Sequence, residues 1–126
     1  MKKILIVDDQ SDIRRMIRIT LGKAFEVLEA EDGNTALEIV RRKQPDLVVL
    51  DVMMPGGTDG LQVLDAIRSD PQLMHTRVIM VTARGQAYDY TEGMDRGADA
   101  YFIKPFSPLE LVAAIKDRTR RMVKAV

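Results

Sequence analysis

The chain has 126 residues, 46% hydrophobic and 30% charged, with 19 Lys plus Arg balancing 19 Asp plus Glu. Such a chain can bury the core of one domain and is not a disordered tail; its formal net charge of zero argues against a dedicated nucleic-acid binder, whose affinity rests on neutralising phosphates. It has no cysteine, which excludes disulfides and thiolate metal sites. The apolar run after Lys2 and Lys3 is too short for a signal peptide and no stretch is long enough to span a bilayer, so a cytoplasmic location is expected.

Short apolar runs alternate with longer amphipathic ones. ILIV (4–7) is unbroken and rich in β-branched residues, and reads as a buried strand. Ile13, Met16, Ile17, Thr20 and Leu21 then recur at helical spacing. FEVLE (25–29) alternates, as a strand near a sheet edge does. Ala36, Leu37 and Val40 stripe a second helix from Asn34 to about Arg42, stopped before Pro45. LVVL (47–50) is a second buried strand, and Leu61, Leu64 and Ile67 mark a helix that ends near Asp70 and Pro71. VIMV (78–81) is a third buried strand. A weaker helical pattern runs from about Gln86 to Arg96 with Gly93 inside it, and AYFI (100–103) is a short strand. SPLE (107–110) is a capping box with proline at the first helical position, so the last helix starts there and runs through Val112, Ile115 and Met122. The chain reads as one domain, 1–126, with 117–126 as helix end or the start of a linker. Lys116, Arg118, Arg120, Arg121 and Lys124 suit a helix C-terminus complementing its macrodipole better than a nucleic-acid patch.

Five strands alternating with five helices predict an α/β domain whose parallel sheet is covered on both faces and joined by right-handed crossovers. In such sheets ligands bind beyond the carboxyl ends of the strands, where the strand order reverses. Asp8 and Asp9 follow the first strand, Asp51 the third, and Lys104 and Pro105 the fifth, while Thr82 ends the fourth. A rim site accounts for a carboxylate placed at the end of LVVLD, a run that otherwise reads as buried. Three neighbouring carboxylates raise one another's pKa values and are stable together only with a cation. An all-oxygen set favours a hard ion, and Mg²⁺ is the usual one beside phosphate. A lysine adds a point charge for a phosphoryl oxygen and a threonine hydroxyl a donor, so the set suits phosphoryl transfer onto an aspartate. Each residue alone has a plainer account: a helix cap for Asp8 and Asp9, a strand residue for Thr82, a solvated lysine for Lys104, a turn for Pro105. A cis Lys104–Pro105 bond would aim the lysine inward. Only the joint occurrence carries the reading.

ILIVDDQ, PDLVVLDVMMP, VIMVTA and GADAYFIKPF, at their spacing, resemble the receiver domain of bacterial two-component response regulators over nearly the whole chain. The resemblance implies a flavodoxin-like doubly wound sheet of order 2-1-3-4-5. It implies that Asp51 accepts a phosphoryl group from a sensor histidine kinase or a histidine phosphotransfer protein. Asp9, Asp51 and the main-chain carbonyl of Met53 would bind Mg²⁺ directly, with Asp8 acting through water. Thr82 and Lys104 would bind phosphoryl oxygens, and Tyr101 would be the aromatic switch that turns inward as Thr82 moves. The face of the fourth helix, fifth strand and fifth helix would control an output protein or effector domain. The implied protein is a signalling phosphoacceptor rather than an enzyme, assisting only its own phosphorylation and dephosphorylation. It would bind neither nucleic acid nor membrane through this domain, and would be a monomer or a weak phosphorylation-dependent dimer.

Some positions depart from the commonest pattern. MPGGTDG carries one residue more than the frequent loop, which Gly56 and Gly57 can absorb at positive φ. Met53 and Arg84 occupy variable positions flanking the site, which in the family influence dephosphorylation. Tyr90, Ala100 and Ala114 stand where the winged-helix transcription-factor branch carries charged residues, which argues against that branch and its dimer. Other readings fit less well. A haloacid dehalogenase-type hydrolase needs an acid two residues after the aspartate, where Met53 stands. A flavin or nucleotide binder needs a Gly- or Ser/Thr-rich loop after the first strand, where DDQSD presents acids. A non-phosphorylated scaffold would have no reason to keep three crowded carboxylates.

Overall fold

Five strands and five helices alternate along the chain, and the strands hydrogen-bond in the order 2-1-3-4-5, all parallel. The computed structural model describes residues 1–54, 56–83 and 87–124. Arg84 and Gln86 lie outside the described residues, as do the side chains of Arg121, Met122 and Lys124.

The central strands are β1 (Lys3–Val7), β3 (Leu47–Asp51) and β4 (Arg77–Ala83). Their apolar runs are continuous because both faces are covered. Leu5, Val7, Val48, Leu50 and Met80 face α2 (Gly33–Lys43) and α3 (Gly60–Ser69), meeting Ala36, Val40, Val63, Leu64 and Ile67. The alternate residues Ile4, Ile6, Val49, Ile79 and Val81 face α1 (Ser11–Leu21) and α5 (Pro108–Lys124), meeting Ile17, Leu21, Leu111 and Ile115. The edge strands are β2 (Glu26–Ala30), one residue later than its expected position, and β5 (Ala100–Lys104). α4 (Ala87–Asp95) covers β5 thinly, leaving Ile103 half exposed. Two short 3₁₀ turns, Gly22–Ala24 and Pro71–Leu73, complete the connections.

Two helix starts carry caps that the apolar pattern does not reveal. Asp32 accepts from the Thr35 amide at 2.8 Å. Asp59 and Gln62 form a complete capping box, with bonds of 2.9 and 2.8 Å. At the start of α5, Ser107 Oγ accepts from the Glu110 amide at 3.3 Å. α3 begins hard against the end of β3: the Gly60 amide donates to the Val52 carbonyl at 3.0 Å, and a side chain at Gly60 would collide with the Asp51 carbonyl. Glycine there lets the helix seat directly over the strand end that carries Asp51.

The loop before it corrects one expectation. Gly56 has φ of +96°, but Gly57 is not among the residues at positive φ. Neither glycine has a neighbour within 4 Å of where a Cβ would be, so the loop is open and one left-handed residue suffices to turn it.

Candidate functional site

Parallel strands deliver their carboxyl ends to one rim. Asp8, Asp9 and Asp51 meet there, each offering a carboxylate oxygen within 4.8 Å of the others. Asp8 and Asp51 are 3% and 4% exposed, and Asp9 is exposed. The loop after β1 is held by its own backbone: the Asp8 amide donates to the Ala30 carbonyl at 3.1 Å, and the Gln10 amide donates to Asp8 Oδ1 at 2.9 Å. The Met53 amide donates to Asp51 Oδ1 at 3.1 Å, which fixes the rotation of that carboxylate.

Lys104 reaches this cluster from β5. Its Nζ lies 3.0 Å from Asp8 Oδ2 and 3.1 Å from Asp51 Oδ2, and donates to Gln10 Oε1 at 3.3 Å. The Lys104–Pro105 peptide is cis. Strand register puts these residues on one face. Asp51 pairs with Val81 and Lys104 with Ala83, two positions along β4, so their side chains share the face of α1 and α5.

Among the described residues one ammonium, that of Lys104, faces the three carboxylates, too little to neutralise them. Burial pushes the Asp51 carboxyl up, the Asp8 charge adds to this, and the Lys104 ammonium with the Met53 amide only partly offsets them; the carboxyl rises to about 6. Burial pulls the Lys104 ammonium down, but its bond to Asp8 and the Asp51 charge outweigh that and leave it raised. The donor set is all oxygen, under-neutralised, and open on the Asp9 side. A cleft of about 480 Å³ there is lined by Asp9, Glu31, Asp32, Asn34 and the Gly56–Thr58 loop. These residues fit a hard divalent cation.

Thr82 occupies the other face. It follows Val81, the partner of Asp51, so by alternation it points with Met80 toward the side of α3 and α4. It is fully buried, and its Oγ1 has no hydrogen-bond partner among the described residues. An unsatisfied buried hydroxyl costs roughly 1–3 kcal/mol, a cost that an acceptor arriving at the rim would relieve. Tyr101 pairs with Met80 and shares that face. Its ring packs on the core and meets Tyr90 edge to face, with centroids 5.1 Å apart and planes at 73°. Gly93 leaves room for it: a Cβ there would touch the Tyr101 ring at 3.4 Å.

The structure thus brings together Asp8, Asp9, Asp51 and Lys104, and lines up Thr82 and Tyr101 behind them. Met53 is well exposed beside Asp51. Gln10 was missed by sequence reasoning; its signal is its position directly after the paired acids. Tyr90 is half exposed, and Ala100 and Ala114 pack against the α1–α5 side of the core.

Residues 4–116 match the family of response regulator receiver domains. The chain belongs to that family. This receiver is 42% identical over 122 residues to the phosphate regulon transcriptional regulatory protein PhoB of Klebsiella pneumoniae, covering 96% of the chain and 53% of PhoB. It therefore spans about half the length of such curated relatives. Among solved structures, a receiver domain protein from Clostridium thermocellum matches with a TM-score of 0.89 at 29% identity over the whole of both chains. The beryllofluoride-activated receiver of DrrB, a Thermotoga maritima protein, matches with a TM-score of 0.85 at 30% identity, covering 95% of this chain and 98% of that one. Receivers are phosphoacceptor modules of two-component signalling. Among the described residues, no helix is long and apolar enough to cross a membrane.

The raised Asp51 carboxyl makes stability depend on pH. Unfolded, the group loses its proton near 3.8; folded, near about 6. The native receiver binds that proton more tightly, so the contribution is present below about pH 4 and lost as pH rises through about 6. In metal-free buffer, Asp51→Asn should be more stable than wild type at pH 7 by on the order of 2 kcal/mol, with the gap closing toward pH 4. Urea denaturation of both proteins across this range measures it; a gap that does not change with pH would contradict the assignment.

Proposed function

We propose that this receiver takes a phosphoryl group onto Asp51 from a phosphohistidine and uses it to switch the α4–β5–α5 face. The observation that carries the reading is the meeting of Asp8, Asp9 and Asp51 within 4.8 Å, with the Lys104 ammonium beside Asp8 and Asp51. The donor set suits Mg²⁺ held by Asp9, Asp51 and the Met53 carbonyl, with Asp8 reaching it through water. When bound, the ion neutralises carboxylates and developing charge on phosphoryl oxygens.

The chain's own groups do the rest. Asp51 must attack as a carboxylate, and with its pKa at about 6 it is mostly ionised near neutral pH. Its oxygen forms the new bond to phosphorus as the P–N bond breaks, and the departing imidazole nitrogen keeps the electron pair. Lys104, already beside Asp51, would neutralise a phosphoryl oxygen. Thr82, whose hydroxyl lacks a partner among the described residues, would donate to another. Donation would draw Thr82 toward the rim, on the face it shares with Tyr101. The Tyr101 ring, held between Tyr90 and the space left by Gly93, would then settle differently against α4. The two arrangements are populations of one fold, shifted by the acyl phosphate. The phosphoryl donor is a sensor histidine kinase or a histidine phosphotransfer protein. The output favoured by the names of the curated relatives is control of transcription through a partner or effector domain, with this receiver making no nucleic-acid contact itself.

Incubation with acetyl phosphate and Mg²⁺ should add one phosphoryl group, labile to hydroxylamine, and Asp51→Asn should block it. Intact-mass spectra showing equal labelling of Asp51→Asn would move the acceptor elsewhere.

The switch has a separate readout. Beryllofluoride with Mg²⁺, a mimic of the acyl phosphate, should change amide exchange more in β5 and α4 than in α2. Thr82→Ala should still take the phosphoryl group yet keep the unliganded exchange pattern in those elements. Uniform changes, or changes confined to residues touching the mimic, would remove the Thr82–Tyr101 coupling.

A further inference from the structure

Arg14 lies in the first half of α1, and its side chain is 15% exposed. Its fork is divided. Nη1 donates to the main-chain carbonyl of Asp8 at 2.7 Å, and Nε donates to Glu29 Oε1 at 2.8 Å. Glu29 lies on β2 opposite Ile6 of β1, and its other oxygen accepts from Arg18 Nε at 2.8 Å. Burial pushes the Glu29 carboxyl up, and the bonds from Arg14 and Arg18 more than reverse that, so Glu29 is a fixed anion.

The Asp8 carbonyl belongs to the peptide that joins Asp8 to Asp9. The Cα atoms that carry the two carboxylates are the two ends of that planar unit. The Asp8 amide is already held by Ala30. Arg14 fixes what the sheet leaves free, the rotation of the next peptide. We propose that Arg14 is a positioning residue for the cation site: anchored on Glu29, it orients the Asp8–Asp9 peptide so that both acids converge with Asp51, and so sets the affinity for Mg²⁺. This rests on the metal reading of the preceding subsection and deepens it. Arginine suits the task because its planar fork bonds two acceptors at once, which an ammonium on a flexible stem does poorly.

Charge and geometry have opposite signs here, which makes the proposal decisive to test. A guanidinium near the rim repels a cation, so on charge alone Arg14→Ala would tighten Mg²⁺ binding. Positioning requires it to weaken. Loss of a group that orients a metal ligand typically costs about 10- to 100-fold in metal affinity.

Calorimetric titration of MgCl₂ into the full chain should give a dissociation constant about 10-fold weaker for Arg14→Ala. Arg18→Ala removes the same charge from the same carboxylate without touching Asp8, and should stay within about twofold of wild type. Melting curves in chelator show which variants are folded before metal is added. If Arg14→Ala does not fold, Arg14→Lys decides: charge alone leaves affinity unchanged, and positioning weakens it several-fold. Unchanged or tighter binding by folded Arg14→Ala, with wild type binding normally, overturns this proposal and leaves the metal reading intact. Wild type that takes up no Mg²⁺ overturns the metal reading and this proposal with it.

Discussion

Asp8 and Asp51 share one ammonium, that of Lys104, at 3.0 and 3.1 Å, and Asp9 completes a cluster that this ammonium cannot neutralise. The residual repulsion is the constraint on which the rest of the molecule turns. It adds to burial, the larger cause, in raising Asp51 to about 6, and it favours any cation that can reach the rim. Burial strengthens all of this, because buried charges are screened less than exposed ones.

The fold exists to hold that conflict in place. A parallel sheet packed on both faces stabilises enough apolar surface to tolerate buried acids at its end. Its register then sorts the rim. Asp51 and Lys104 project to the α1–α5 side, and Thr82 and Tyr101 to the α3–α4 side. The charged cluster and the Thr82–Tyr101 pair thus occupy opposite faces of the same strand ends, with β4 between them. The thinner cover over β5 is consistent with this division. α4 carries Gly93 and leaves Ile103 half exposed, so the Thr82–Tyr101 side is the more lightly packed of the two.

Much of this was legible in the sequence, for particular reasons. β1, β3 and β4 are unbroken apolar runs because they are central, and a polar residue ending such a run has little reason to be there except a site. Asp51 and Thr82 stood out for that reason. β2 was read one residue early, since an edge strand alternates and its ends blur. The caps at Asp32 and Asp59 were missed because acids in loops are common and only a neighbouring amide makes one a cap. Gln10 and Arg14 were missed for a different reason. Their contacts join residues brought together by strand order, and no local spacing announces that Glu29 will lie beside β1. The loop glycines were only half read: Gly56 takes the left-handed turn and Gly57 does not.

The claim that uncompensated charge organises the site is tested most directly by the titration of Asp51 itself. Carbon-detected NMR of the Asp51 side-chain carboxyl, followed against pH in metal-free buffer, should give a midpoint of about 6, moving down when Mg²⁺ is added and up in Lys104→Ala. A midpoint in the ordinary carboxylate range, near 3.8 and indifferent to Mg²⁺ and to Lys104, would contradict the account.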